Sequence, residues 1–164
     1  MSVISKKLLK FLAIESPFFN SQIHGLKHWR AVERYGIQLA KFNDADTDVI
    51  SYFSHFHDCM RVNENVDPLH GQRATTFLKH HRSKINLDNA QFKLLCNACS
   101  GHTFGSKSKD ITIATCWDAD RLDIDRVGII RDPEYFSSKE AKRIIVESGS
   151  SILKPFTFSF STFK

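Results

Sequence analysis

Four side chains in this sequence have the types and the spacing to act together: His28, the adjacent pair His57-Asp58, and Asp120. His28, His57 and Asp120 each fall on an apolar stripe at helical period, with Asp58 next along from His57. His28 lies four residues before Val32, on the stripe that continues through Tyr35 and Leu39. His57 lies four after Phe53, on the stripe Val49, Phe53, Phe56 and Met60. Asp120 falls between Trp117 and Ile124, on the stripe that starts at Ile113. Three separate segments thus aim an imidazole or a carboxylate at the core. A lone buried carboxylate or imidazole is costly and needs a partner, and one shared divalent cation satisfies all of them. Two imidazoles and two carboxylates form a mixed nitrogen and oxygen donor set, suited to Mn, Fe, Ni, Zn or Mg. Taken singly the positions say little. A histidine on an apolar face is more often a hydrogen-bonded core residue, a His-Asp dipeptide occurs by chance, and a shift of helix phase would put Asp120 on the surface. The joint pattern carries the reading. His70 at a helix start and His102 just past a helix end extend it, either as ligands of a second ion or as groups that hold a phosphate oxygen.

Helices must position these residues. The pattern predicts a first helix over about residues 6–14, ending before Pro17, and a second over 26–42. Asp44-Ala-Asp-Thr-Asp48 supplies N-cap chemistry for a third, running to about Met60. Pro68 suits the first turn of a fourth, to about His81. Asp88 caps a fifth to about Ser100, Asp110 a sixth through about Asp123, and Ser137-Ser-Lys-Glu140 reads as the capping box of a seventh, ending near Gly149. The expected fold is all-α, a bundle of about six to seven helices in a single domain over residues 1–150. The tail, residues 151–164, is aromatic-rich, and Phe156-Thr-Phe-Ser-Phe-Ser-Thr-Phe163 alternates apolar and polar residues at a strand-like period.

Composition agrees with one helical core. The 164 residues are 41% hydrophobic, with only 7 Gly and 4 Pro, too little turn punctuation for a many-stranded fold. A net charge of +5 suits an anionic ligand. The Lys and Arg residues are scattered, so nucleic acid is not the favoured partner. Lysines interrupt the apolar residues near the start, which excludes a signal-peptide core, and no stretch reaches the length of a membrane span. The expected location is cytoplasmic, with Cys59, Cys96, Cys99 and Cys116 as buried thiols. Cys96 and Cys99 form a CxxC pair, but no second pair completes a zinc site.

The order His28, His57-Asp58, Asp120 resembles the HD superfamily of metal-dependent phosphohydrolases. His28-Trp-Arg-Ala-Val32, Phe53-Ser-His-Phe-His57-Asp58-Cys59 and Asp118-Ala-Asp-Arg-Leu122 carry the likeness, the last being similar to the Ala-Asp-Arg-Leu motif of the (p)ppGpp hydrolase branch. His70-Gly-Gln-Arg-Ala74 and Ser100-Gly-His102 match in order the extra ligands of two-metal subfamilies. They resemble the cyclic-di-GMP phosphodiesterase branch, whose Gly-Tyr-Pro motif is absent here. The resemblance implies an HD-domain helical bundle and one or two divalent ions. It also implies a phosphomonoester, nucleotide or other phosphorylated small molecule as substrate, cleaved by metal-activated water. It makes His28, His57, Asp58 and Asp120 metal ligands, with Asp58 also orienting the water. Arg30, Arg61 and Arg121 are then candidates to neutralise phosphate charge. Arg61 is preferred, and Glu33 is placed to orient Arg30. Two other readings stay open: a di-iron oxygenase of the same superfamily, and a non-catalytic protein that binds metal and nucleotide to regulate a partner.

Overall fold

The computed structural model describes residues 3–147, so the tail with its strand-like alternation lies outside the described residues. The described part is all-α, with no strand. Its helices are α1 (Lys6–Glu15), α2 (Leu26–Ala40), α3 (Thr47–Phe56), α4 (His70–His80), α5 (Asn89–Gly101), α6 (Ile111–Arg121) and α7 (Lys139–Glu147). Short 3-10 turns lie at Arg82–Lys84, Ile124–Val127 and Pro133–Tyr135. None of the described helices is long and apolar enough to cross a membrane.

Side-chain caps set most of the helix starts. Ser5 caps α1, Asp46 caps α3, and Asp110 caps α6 through the backbone N–H groups of Thr112 and Ile113. Asp88 and Gln91 form a reciprocal capping box on α5. α3 is the central element. Every residue from Val49 to Phe56 is buried, as expected of a helix enclosed on all sides. It packs on α2, α5 and α6, while α4 packs on α5. Trp29, Phe53 and Phe56 are fully enclosed, and burial of each stabilises by roughly 1.5–3 kcal/mol. A smaller cluster of Leu39, Leu122, Phe136, Ala141 and Ile145 seats α7 on the ends of α2 and α6.

Among the boundaries that differ from the sequence expectation, three have a clear local reason. α3 stops at Phe56 instead of Met60, because the His57 ring turns back and Nδ1 donates to the carbonyls of Phe53 (3.2 Å) and Ser54 (3.1 Å). That contact satisfies carbonyls left open at a helix C-terminus and fixes the ring. Pro68 lies ahead of α4 and not in its first turn, because Asp67 ties the preceding loop down. Its carboxylate accepts from the Val62 N–H and from Arg73. The seventh helix is capped by Ser138, whose hydroxyl accepts from the Ala141 N–H, so Ser137 and Glu140 form no box.

The reason for that shift is Asp118. Its carboxylate oxygens accept the Ser137 and Ser138 N–H groups, each at 2.8 Å, fastening the start of α7 to α6. Burial raises the Asp118 pKa despite these bonds. Asp118→Ala leaves two backbone donors without partners, and a stability loss of about 2 kcal/mol is expected in denaturant unfolding. Divalent-metal binding should be unchanged, because this carboxylate faces α7.

Candidate metal centre

Five helix ends meet at one end of the bundle, and each brings a ligand-type side chain. His28 sits in the first turn of α2, His57 and Asp58 follow the last residue of α3, and His70 is the first residue of α4. His102 caps the C-terminus of α5, and Asp120 lies in the last turn of α6. All six residues proposed from the sequence as ligands or phosphate contacts therefore converge. His28, His57, Asp58, His70 and His102 are buried, and Asp120 is partly exposed.

The convergence has two halves. In one, His28 Nε2 and His57 Nε2 are 3.1 Å apart, and Asp120 Oδ1 lies 3.3 Å from the first and 3.6 Å from the second. In the other, His70 Nε2 and His102 Nε2 are 2.7 Å apart. Asp58 stands between them. Its Oδ2 lies 3.8 Å from both His28 and His57 Nε2, and its Oδ1 lies 3.1 Å from His70 Nε2 and 3.7 Å from His102 Nε2. Two sets of donor atoms, from His28, His57 and Asp120 and from His57, Asp58 and His102, each fall within 4.8 Å of one another.

Ring orientation tests whether a cation fits. Every one of the four imidazoles turns Nδ1 outward onto an acceptor: Asp123 Oδ2 for His28 at 2.8 Å, the Phe53 and Ser54 carbonyls for His57, the Asp67 carbonyl for His70, and the Cys99 carbonyl for His102 at 2.7 Å. Acceptors of that kind require N–H at Nδ1, so in each neutral ring the Nε2 lone pair points inward. Two pairs of lone pairs, flanked by two carboxylates, face each other at close range. Only positive charge reconciles them, whether protons or a metal ion. The pKa directions agree. Burial pushes His28 down, but hydrogen bonds to Asp120 and Asp123 outweigh it and raise its pKa. Burial pushes Asp58 and Asp120 up, yet the surrounding histidines hold both well below the usual carboxylate range. The donor set suits a borderline divalent ion.

Arg61 joins the cluster. It is buried, with Nη1 3.5 Å from Asp58 Oδ1 and 3.4 Å from the His70 ring, while Nε and Nη2 donate to the Asn63 and Asn65 carbonyls. The other two arginines go elsewhere. Arg121 donates to the carbonyls of Gly105, Ser106 and Tyr135, pinning two loops. Arg30 is exposed and lines an outer groove of α2 with Glu33, Arg34 and Lys41. Nearness in sequence misled in both cases, since residues one or two apart on a helix do not share a face.

Two residues that the sequence reading did not assign stand directly behind the ligands. His24 Nδ1 lies 2.9 Å from Asp58 Oδ2, and Asp123 holds His28. Asp123 carried a faint signal, being three residues after Asp120. His24 precedes α2 in a turn and carried none. A carboxylate behind a ligating histidine fixes its tautomer and raises its basicity. Asp123→Ala is therefore expected to weaken divalent-metal binding by about 10–100-fold, read by Mn2+ titration, with no loss of helix content.

Comparison with known protein families and with curated proteins finds no match for the chain. Among solved structures, it matches the crystal structure of a predicted HD superfamily hydrolase from an uncultured Thermotogales bacterium, with a TM-score of 0.70 over 88% of this chain and 84% of that one. Sequence identity is 17%, so the likeness is one of fold. The chain has the HD-domain fold, and its His/Asp centre lies at the joined helix ends of that fold.

Proposed function

We propose that this protein is a divalent-metal-dependent phosphohydrolase acting in the cytoplasm on a phosphorylated small molecule, a phosphomonoester or a nucleotide. One observation carries the reading: four imidazoles tied at Nδ1 and two carboxylates converge with their lone pairs inward. That arrangement suits cation binding. His28, His57, Asp58 and Asp120 would hold one ion, with His70, His102 and the second oxygen of Asp58 available to another. An ion held there supplies Lewis-acid polarisation of a phosphoryl oxygen and activation of water.

The chain's own residues do the rest. Asp58 presents one oxygen to each imidazole pair and so sets their separation. Arg61 places a fixed positive charge beside Asp58 and His70, with Nη1 as its inward nitrogen, where it offsets phosphate charge. Thr103 brings a hydroxyl to 3.3 Å from His70 Nε2, a second polar group for substrate or water.

The test is metal analysis of the purified full chain, followed by chelation and a screen of phosphomonoesters and nucleotides with Mn2+, Ni2+, Co2+ or Mg2+ restored. Metal-dependent release of phosphate or pyrophosphate is expected. Tightly held iron with its visible absorbance, and no hydrolysis with any ion, would turn the reading to a di-iron oxygenase. Absence of metal binding would remove the basis for either enzyme.

A further inference from the structure

We propose that His24 is a positioning residue for the metal centre, holding the carboxylate plane of Asp58 so that its two oxygens serve the two imidazole pairs. The inference rests on the metal reading above and assigns a role to a residue outside the donor sets.

His24 is fixed from every side. Its backbone N–H donates to Ser21 Oγ at 2.9 Å, and its carbonyl accepts from Trp29 Nε1 at 2.7 Å, which ties it to the core. The next residue must be glycine for this turn to close: a Cβ on Gly25 would lie 2.4–2.7 Å from the carbonyl oxygens of Phe18, Phe19 and Ser21. The ring has a close neighbour at each nitrogen. Nδ1 lies 2.9 Å from Asp58 Oδ2, and because a carboxylate only accepts, Nδ1 donates. Nε2 lies 3.2 Å from the Glu64 carbonyl, in the loop after the His57-Asp58 pair. Arg126 seals the outer side, with Nε on the Ile23 carbonyl and Nη2 3.5 Å from Nδ1. The side chain is 9% exposed, too enclosed for a surface role.

On its other oxygen, Oδ1, Asp58 meets His70 Nε2 at 3.1 Å and His102 Nε2 at 3.7 Å. The Arg61 contact at 3.5 Å reaches Oδ1 only. Apart from His24, the groups near Oδ2 are the His28 and His57 Nε2 atoms, both at 3.8 Å. His24 is thus the one close partner on the Oδ2 side among these contacts. Without it, rotation about Cβ–Cγ would carry Oδ2 away from one pair and Oδ1 from the other. Partners behind a ligating carboxylate typically matter by 10–100-fold in metal affinity.

Replacing His24 separates this role from a loop-fastening one, because two amides mimic different ring nitrogens. The Asn amide nitrogen reaches the place of Nδ1, next to Asp58, and the Gln amide nitrogen that of Nε2, next to Glu64. Mn2+ titration of the full chain, read by calorimetry and by bound metal after desalting, compares His24→Ala, His24→Asn and His24→Gln with wild type. Expected are a loss of about 10–100-fold in Mn2+ affinity for Ala, recovery of most of it in Asn, and little in Gln. Should the Ala variant not fold, the Asn and Gln pair carries the comparison. Ala binding like wild type overturns the inference while leaving the metal reading intact. So does Gln recovering as much as Asn, which would assign the effect to Glu64, and so does failure of both amides, which would make His24 a direct ligand. Wild type that binds none of Mn2+, Ni2+, Co2+ and Mg2+ overturns the metal reading, and this inference with it.

Discussion

Asp58→Ala is expected to abolish metal-dependent hydrolysis and to remove the stabilisation that a divalent ion gives. Asp58 is the one residue whose two oxygens address both halves of the centre, so its loss affects all four imidazoles. Electrostatic stabilisation of phosphoryl transfer by a bound ion is worth several kcal/mol, and a loss of about 4 kcal/mol is roughly 10³-fold in kcat/KM. Binding has its own readout. Wild type at a Mn2+ concentration about 100 times its Kd gains about 2.7 kcal/mol in unfolding free energy, and the variant should gain nothing. Without the ion the variant has its own cost. Arg61 is buried and loses its nearest carboxylate, and an uncompensated buried charge destabilises by about 3–5 kcal/mol at most. Asp58→Asn keeps the shape and one acceptor while removing the charge, so a folded Asn variant that lacks metal-induced stabilisation would assign the effect to the carboxylate and not to packing. Retention of full activity by either variant would sink the proposed function.

The centre was legible in the sequence wherever helical phase decides direction. His28, His57 and Asp120 could be placed because each shares an apolar stripe with residues that prove buried: Val32, Phe53 and Trp117. His70 and His102 could be placed because Pro68 and the Gly101 region mark helix ends, and helix ends gather where a bundle opens. Contacts that cross the chain were not legible. His24 meets Asp58 across 34 positions, and His28 meets Asp123 across 95, and no local pattern encodes such meetings. Arg121 shows the opposite failure. It stands beside Asp120 in the sequence, yet the helix turns it about 100° away onto loop carbonyls. The end of α3 was misjudged for a related reason: the apolar stripe runs on to Met60, but the His57 side chain competes for the carbonyls that would extend the helix.

The second large effect is expected from Gly71→Ala, a substitution that removes no ligand. A Cβ on Gly71 would lie 2.3 Å from the Cys99 carbonyl oxygen and 3.2 Å from the His102 ring. The first of these is backbone and cannot swing aside, so α4 and α5 must part. Those two helices carry His70 and His102, whose Nε2 atoms stand 2.7 Å apart, and the same Cys99 carbonyl holds His102 Nδ1. Global stability should fall only modestly. Overpacking costs about 1–3 kcal/mol, and replacing Gly by Ala inside a helix returns about 1 kcal/mol, for a net loss of roughly 0–2 kcal/mol. Function should register it strongly, because a displacement near 1 Å at a reacting centre can cost about 10²-fold. The predicted signature is a folded protein in which the His70 and His102 half no longer binds Mn2+ while the half built from His28, His57 and Asp120 still does. Asp118→Ala is the control, with comparable loss of stability and an intact centre. If Gly71→Ala instead bound metal and hydrolysed substrate as wild type does, the close approach of α4 and α5 would be packing alone and would not set the geometry of the His70 and His102 half.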